Sequence, residues 1–191
     1  MQDGTTGSAS ALKNSTALGY DARVSGSNQV QLGNSDTTTY AYGSVQDRSD
    51  ARDKADVRDT VLGLDFISAL RPVDFRWDMR DDYFDVEEYE ETVADEKGDE
   101  ITETRSRLVP IPKDGSKKRT RYHHGLIAQE VKAVMDEMGV DFGGYQDHKI
   151  NGGKDVLTIG YAELVAPLIK AVQQLSAKVE RLEARIAELE A

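Results

Sequence analysis

The sequence predicts an α+β protein with a β-rich N-terminal part and a long C-terminal coiled-coil helix. Three observations lead to this prediction. A repeat of small residues occupies 1–48, mixed helical and alternating apolar patterns fill 49–163, and an apolar heptad pattern runs through 164–191. We take these three ranges as the predicted domains.

The composition limits the classes of partner. The chain has 191 residues and a formal net charge of -11, and an acidic surface repels duplex nucleic acid and anionic lipid. No cysteine is present, which excludes disulfides and thiolate zinc sites. No stretch approaches the roughly 20 apolar residues of a membrane span. We therefore predict no nucleic-acid partner and no membrane partner.

The N-terminal domain contains an internal repeat. Ala17-Leu18-Gly19 recurs as Gln31-Leu32-Gly33, and Asn14 is equivalent to Asn28, which gives a period of 14 residues. A short period with one apolar position suits a rung of a β-roll or β-helix, although a disordered linker is the alternative. Such rungs need stacked neighbours or other chains to bury their apolar face. The repeat resembles the head repeats of trimeric adhesins, which also occur in fibre shafts.

Residues 35–48 have the composition of a last shaft segment. The run from Thr37 to Tyr42 favours a strand. The abrupt rise in charge over 49–56 marks a domain boundary.

The middle domain begins with a predicted helix and strand. Apolar residues from Val61 to Leu70 have helical spacing, and Pro72 ends this helix. The following residues alternate between apolar and charged from Val73 to Asp78, as in a half-buried strand.

The charged stretch 79–121 predicts a long excursion, most simply an extended hairpin that turns at Asp114-Gly115. Its basic cluster at 117–121 has two interpretations, a nucleic-acid patch or a solvated loop that balances nearby carboxylates. We favour the second. A further helix over 127–138, closed by Gly139, and a strand at 156–159 complete the domain.

The last domain has the clearest periodicity. Apolar residues are spaced alternately three and four apart, with Val or Ile at heptad position a and Leu at position d, which predicts a coiled coil. This pattern predicts association but not the number of chains. We call these eight residues the seam: Val165, Leu168, Val172, Leu175, Val179, Leu182, Ile186 and Leu189.

Few side chains offer catalytic chemistry. His123, His124 and His148 are the only histidines, and no acid-rich triad can be recognised around them. A metal site is the alternative to surface or hydrogen-bonded imidazoles, and we favour the imidazoles. We predict neither a metal nor a cofactor. Without cysteine, a nucleophile has to be a serine or a threonine.

Four motifs occur in a specific order. Ser49-Asp50-x-Arg52-x-Lys54 precedes the segment 64–77, LDFISALRPVDFRW, then the segment 124–131, HGLIAQEV, and finally 161–164, YAEL, before the heptads. Together they resemble the peptidase S74 family, the intramolecular chaperone domain of endosialidases and other phage tail fibres. The resemblance covers 49–191.

The resemblance implies a self-cleaving serine endopeptidase that acts once per chain. Ser49 would be the nucleophile, Lys54 the base and Arg48–Ser49 the scissile bond. His124, Gln129 and Asp50 are candidate supporting residues.

The resemblance also implies a homotrimer that folds the upstream fibre shaft of the same polypeptide. The chain would be made in the host cytoplasm and carried in the virion, and the chaperone part would be released after cleavage. The shaft is then a candidate surface for contact with a host receptor.

The dyad makes chemical sense under two conditions. A serine hydroxyl needs a base, and a lysine serves as one only when burial or cationic neighbours favour its neutral form. Positions five apart point away from each other in a continuous helix. Ser49 therefore needs either a turn or Lys54 from a neighbouring chain, and the sequence leaves both open.

Two other functions compete with self-cleavage. The domain could be a trimerisation cap that stays attached, with Ser49 as a helix N-cap and Lys54 inert. It could also be a receptor-binding tip that uses 79–121 or the shaft. A related domain occurs in the myelin regulatory transcription factor, which is membrane-bound. That function is disfavoured here, because the sequence has no membrane segment and 1–48 is similar to fibre shaft and not to a DNA-binding domain.

Overall fold

The structure is a computed structural model that describes residues 12–34, 36–94, 100–151 and 155–191, without the side chains of 150 and 151. It is a mixed α+β chain of small sheets, two short helices and one long C-terminal helix, as the sequence predicts. The elements in chain order are β1 Ser15–Leu18, β2 Gln29–Leu32, α1 Leu64–Ala69, β3 Val73–Arg76, β4 Phe84–Ala94, β5 Glu100–Pro110, β6 Tyr122–Gly125, α2 Ala128–Met138, β7 Tyr145–Asp147, β8 Leu157–Ile159 and α3 Val165–Glu190.

The strands form four small pairs, β1 with β2, β3 with β6, β4 with β5, and β7 with β8. The chain divides into two compact units. The first contains the described residues up to Val24, Asn28–Thr39 and Phe75–His123, and the second contains Ser25–Ser27, Tyr40–Asp74 and His124–Ala191. No helix among the described residues is long and apolar enough to cross a bilayer.

The repeat forms two stacked rungs in the first unit. β1 and β2 are parallel, and the register runs from Ser15 opposite Gln29 to Leu18 opposite Leu32. Asn14 Nδ2 donates to Asn28 Oδ1 at 3.1 Å across a separation of 14 residues. Both asparagines have positive φ, at 53° and 59°, a conformation that asparagine tolerates better than most residues. The repeat and its period are confirmed.

The strand predicted around Thr37 to Tyr42 is wrong, because none of the residues 36–48 lies in a strand. Thr37 instead closes a local turn, in which its N–H donates to Asn34 O at 3.1 Å and its hydroxyl donates to Asn34 Oδ1 at 3.1 Å. Such local bonds compete with strand pairing. Tyr40 is 89% exposed.

The excursion at 79–121 contains the predicted hairpin, but its turn lies elsewhere. β4 and β5 pair in antiparallel register from Phe84 opposite Pro110 to Ala94 opposite Glu100. Their connection is 95–99, which lies outside the described residues. Asp114-Gly115 follows β5 and forms a self-contained turn, in which Ser116 N donates to Asp114 Oδ1 at 2.8 Å and Gly115 has a φ of 82°.

A buried tyrosine stabilises the base of this hairpin. Tyr83 is 3% exposed, and its hydroxyl donates to Asp78 Oδ1 at 2.7 Å and accepts from Lys117 N at 3.0 Å. Lys113 Nζ lies 3.0 Å from Asp78 Oδ2. The bond from Tyr83, with that from Lys113, holds the pKa of Asp78 below its usual value.

One residue of the basic cluster, Arg119, contacts carboxylates. Arg119 pairs with Asp36 at 2.6 Å and lies 3.8 Å from Asp82.

The hydrophobic core lies in the second unit, where α1, α2 and the start of α3 meet. Phe66 is fully buried, and its ring centroid lies 5.5 Å from that of Phe142. Six buried side chains form this core: Leu62, Phe66, Val131, Met135, Phe142 and Leu164.

The ends of both short helices follow from local bonds. α1 begins at Leu64, later than predicted, because Thr60 Oγ1 accepts from Leu62 N at 3.1 Å and Gly63 occupies the N-cap. Val61, predicted on its apolar side, is 68% exposed. α2 ends at Gly139 in the left-handed conformation, as predicted.

The long helix α3 packs on the core only through its first turns. Pro167 and Ala171 are buried, whereas every residue from 172 onward is exposed. Gln174 Oε1 accepts from Leu64 N at 2.7 Å and so caps α1, whose N-cap glycine has no side chain to do so. A side chain at Gly63 would collide with Gln174.

We expect Gln174→Ala to lower the free energy of unfolding by about 1 kcal/mol, because it leaves an N–H at the start of α1 without its cap. Urea denaturation followed by circular dichroism measures the change. Gln173→Ala, next to it on the same helix, is the matched control. Equal losses in the two variants would contradict the capping role.

Candidate active site

Ser49 and Lys54 lie on either side of a single 3-10 turn, Ala51–Asp53. Asp50 is its N-cap, and Asp50 Oδ1 accepts from Arg52 N at 2.9 Å. Lys54 closes the turn through its N–H, which donates to Ala51 O at 3.2 Å. The sequence alternative in which Ser49 is the N-cap therefore does not hold, since Asp50 has this role.

The turn brings the two side chains together within one chain. Lys54 Nζ donates to Ser49 Oγ at 2.8 Å. This distance suits proton transfer, because a neutral amine at the same position would accept the hydroxyl proton. The requirement that the sequence imposed, a turn between residues five apart, is met in this structure without a neighbouring chain.

The charged neighbours pair with one another and not with Lys54. Arg52 lies 2.6 Å from Asp50, and Arg48 Nε lies 3.3 Å from Asp53 Oδ2. The hydrogen bonds from Arg52 hold the pKa of Asp50 below its usual value. Within the described residues, neither Asp50 nor Asp53 forms an ion pair with Lys54.

All residues of the segment 48–54 are exposed in the single chain. The segment therefore has the contact that a Ser-Lys dyad requires but not the burial that favours a neutral lysine.

The supporting candidates lie apart from this contact. His124 Nδ1 lies 2.6 Å from Asp74 Oδ1, and Gln129 is exposed in the first turn of α2. Within the described residues, no hydrogen bond or ion pair joins His124 or Gln129 to the Ser49–Lys54 pair.

Sequence reasoning missed Asp74 as the partner of His124. The signal was present, since Asp74 is an outward residue of a predicted alternating strand and His124 lies in a second short segment. Only the pairing of β3 with β6 shows that the two meet. A carboxylate on Nδ1 orients the ring and fixes its tautomer.

A second contact between a serine and a histidine was also missed. Ser25 Oγ lies 2.7 Å from His148 Nδ1, and Thr158 Oγ1 lies 3.3 Å from His148 Nε2. Both ring nitrogens face hydroxyls, and among the described residues no carboxylate is bonded to this ring to orient it as a catalytic base would need. The separation of 123 residues left no sequence signal.

In the described part of the chain, no group of three His, Asp or Glu side chains could hold a metal ion. Comparison with protein-family models and with curated proteins finds no match to this chain.

Proposed function

We propose that this chain is the self-cleaving C-terminal chaperone of a trimeric phage tail fibre or spike. Ser49 is the nucleophile, Lys54 the base and Arg48–Ser49 the bond that breaks. The observation that carries this proposal is the 2.8 Å contact of Lys54 Nζ with Ser49 Oγ. It occurs where the chain passes from the repeat to the globular sequence, at the first of four ordered motifs.

The reaction proceeds as an N-to-O acyl shift. Ser49 Oγ bonds to the carbonyl carbon of Arg48 as Lys54 Nζ takes the hydroxyl proton. The peptide C–N bond breaks, and the nitrogen of Ser49 receives that proton from Lys54. Water then hydrolyses the ester, which leaves a carboxylate on Arg48 and a free hydroxyl and amine on Ser49.

The other residues have supporting roles in this proposal. Asp50 caps the turn that holds Ser49 against Lys54. His124, oriented by Asp74, and Gln129 are candidates to polarise the Arg48 carbonyl in the assembled protein.

Two features of α3 support association of the chain with itself. All eight seam side chains are exposed, between 45% and 71%, whereas Pro167 and Ala171 are buried and Gln174 bonds to the first residue of α1. Most of the stability of a helix in a protein comes from packing of its apolar face, so a partner on the seam would stabilise the exposed part of α3. The seam favours association in general, and the number three comes from the family resemblance.

Assembly is the proposed switch for cleavage. In the single chain Lys54 is exposed, and burial by neighbouring chains favours the neutral amine that the reaction needs. A coiled coil that holds three chains together also raises their effective concentration, which helps a slow intermolecular β-structure to nucleate. The shaft is then folded before the bond is cut, and the released fibre remains in the virion.

The intact mass of the purified chain tests the proposal. The wild type should yield fragments 1–48 and 49–191, whereas Ser49→Ala should remain whole because the nucleophile is gone. Ser44→Ala, a nearby exposed serine outside the turn, is the matched control and should cleave. If wild type and Ser49→Ala both stay whole in a trimeric preparation, the chain is a structural cap.

A further inference from the structure

Two contacts of the same sequence spacing lie across the bond that is proposed to break. Lys54 Nζ donates to Ser49 Oγ at 2.8 Å, and Arg48 Nε lies 3.3 Å from Asp53 Oδ2. Each contact joins residues that are five apart in the sequence. The two residues of the scissile bond are thus bound by two adjacent residues, Asp53 and Lys54.

A single turn brings Asp53 and Lys54 back to the residues that precede it. The N–H of Asp53 donates to Asp50 O at 3.1 Å, and the N–H of Lys54 donates to Ala51 O at 3.2 Å. These bonds close the 3-10 turn Ala51–Asp53. Because Asp53 and Lys54 lie together at the end of this turn, one backbone element positions both contacts.

The other acid of the turn binds a different arginine. Arg52 Nη2 lies 2.6 Å from Asp50 Oδ2, and Arg52 Nε donates to Asp50 Oδ1 at 3.0 Å. The same Oδ1 accepts from Arg52 N at 2.9 Å. Both oxygens of Asp50 therefore have partners, and within the described part of the chain the ion pair of Arg48 is the one with Asp53.

The acyl shift depends on the orientation of both halves of the bond. Ser49 Oγ has to reach the carbonyl carbon of Arg48, the residue that precedes it. The contact with Lys54 restrains Oγ, but it leaves the carbonyl free to rotate about the backbone bonds of Arg48. Reactants that are held in an attack geometry react faster than reactants that have to find it. A restraint on the acyl half should therefore add to the restraint on the nucleophile.

The side chain of Arg48 is suited to such a restraint. A guanidinium carries its N–H donors in a fixed planar arrangement, so a carboxylate binds it in a defined orientation. In the single chain the pair is open to solvent, since the side chains of Arg48 and Asp53 are 83% and 47% exposed. Burial of the segment by neighbouring chains, as the proposed switch requires, would reduce the screening of this pair.

We propose that Asp53 is a positioning residue for self-cleavage, which binds the side chain of Arg48 and so favours a basic residue before Ser49. This inference rests on the proposed function and adds to it a determinant of the rate and of the residue accepted at the bond. Asp53 contacts the side chain of the cleaved residue and not the reacting atoms, so it acts through Arg48.

A double-mutant cycle tests the pair. Asp53→Asn and Arg48→Gln each remove one charge, so each should slow self-cleavage about fivefold, as expected for a partly exposed ion pair. The double variant Arg48→Gln with Asp53→Asn should be no slower than either single variant, because each single variant has already lost the pair. Arg48→Lys keeps the charge and should cleave faster than Arg48→Gln.

The readout separates the acyl shift from the hydrolysis of the ester. Intact mass is followed against time on preparations that light scattering shows to have the same oligomeric state. Neutral hydroxylamine is added because it attacks esters, so that the appearance of fragments reports the acyl shift. Asp47→Asn is the matched control: it removes an exposed acid on the other side of Arg48 and should cleave at the wild-type rate.

The outcomes distinguish this inference from the proposed function. If Asp53→Asn cleaves at the wild-type rate, Asp53 is not a positioning residue and self-cleavage still stands. If the two single effects multiply to about twenty-five-fold in the double variant, the two residues act independently and the proposed pair is wrong. A wild type that stays whole as a trimer overturns self-cleavage, and the role of Asp53 with it.

Discussion

Lys54→Met should stop self-cleavage, with fragments appearing at least about a hundredfold more slowly than in the wild type. General base catalysis contributes about a hundredfold to ten-thousandfold, and methionine keeps the length of the side chain without the amine. Lys54→Arg is the sharper variant, because a guanidinium can still donate to Ser49 Oγ but does not lose its proton in proteins. We expect Lys54→Arg to be as inactive as Lys54→Met.

Intact mass against time, measured on preparations of equal oligomeric state, checks this result. Lys117→Met, an exposed lysine outside the turn, is the control and should cleave at the wild-type rate. A Lys54→Arg chain that cleaves normally would reduce the 2.8 Å contact to a structural hydrogen bond.

Charged residues in the seam should abolish both association and cleavage. Leu175→Asp with Leu182→Asp places two carboxylates per chain in an apolar interface, and burying unpaired charges there costs several kcal/mol. The globular core should remain folded, because Leu175 and Leu182 are both exposed in the single chain. We expect a monomer that releases fragment 1–48 at least about tenfold more slowly, since Lys54 remains exposed.

The matched control places the same charges on the opposite face of α3. Ala177→Asp with Ala184→Asp lies at f positions, away from the seam, and should leave association and cleavage intact. Light scattering gives the mass of each species, and intact mass gives its cleavage. A monomeric seam variant that cleaves at the normal rate would show that assembly is not the switch.

Local patterns predicted the repeat and the long helix because their bonds are themselves periodic. The register of β1 with β2 repeats the 14-residue spacing of Asn14 and Asn28. The helix α2 ends at Gly139, because its C-terminal cap requires a residue in the left-handed conformation. Pro72 likewise lies beyond the last residue of α1, as expected.

The failures arose where local side-chain bonds replaced the predicted element. Thr37 has strand propensity, but its bonds to Asn34 form a turn, and Thr60 similarly delays α1 through its bond to Leu62 N. Asp114-Gly115 is a real turn whose bonds are satisfied locally, so it does not have to join two strands. Propensity gives no information about which partner a residue finds.

The candidate site likewise has a part that the sequence predicted and a part that it did not. The residue types and spacing of Ser49 and Lys54 indicated a dyad, but their contact depends on the side chain of Asp50 as a cap, which the spacing does not specify. Asp74 was missed because it meets His124 across 50 residues of chain.

Because β1 pairs with β2 as one rung on the next, the repeat can gain or lose whole rungs. Each rung uses 14 residues and returns Asn28 directly over Asn14. A duplication or deletion of 14 residues would change the number of rungs while every remaining side chain kept its orientation. An insertion or deletion of any other length would move Asn14 and Asn28 out of register, or would exchange the side chains on the two faces of the strand. Insertions and deletions within the repeat should therefore be tolerated when they add or remove a multiple of 14 residues. Each such change leaves the sequence of the turn at Ser49 unchanged.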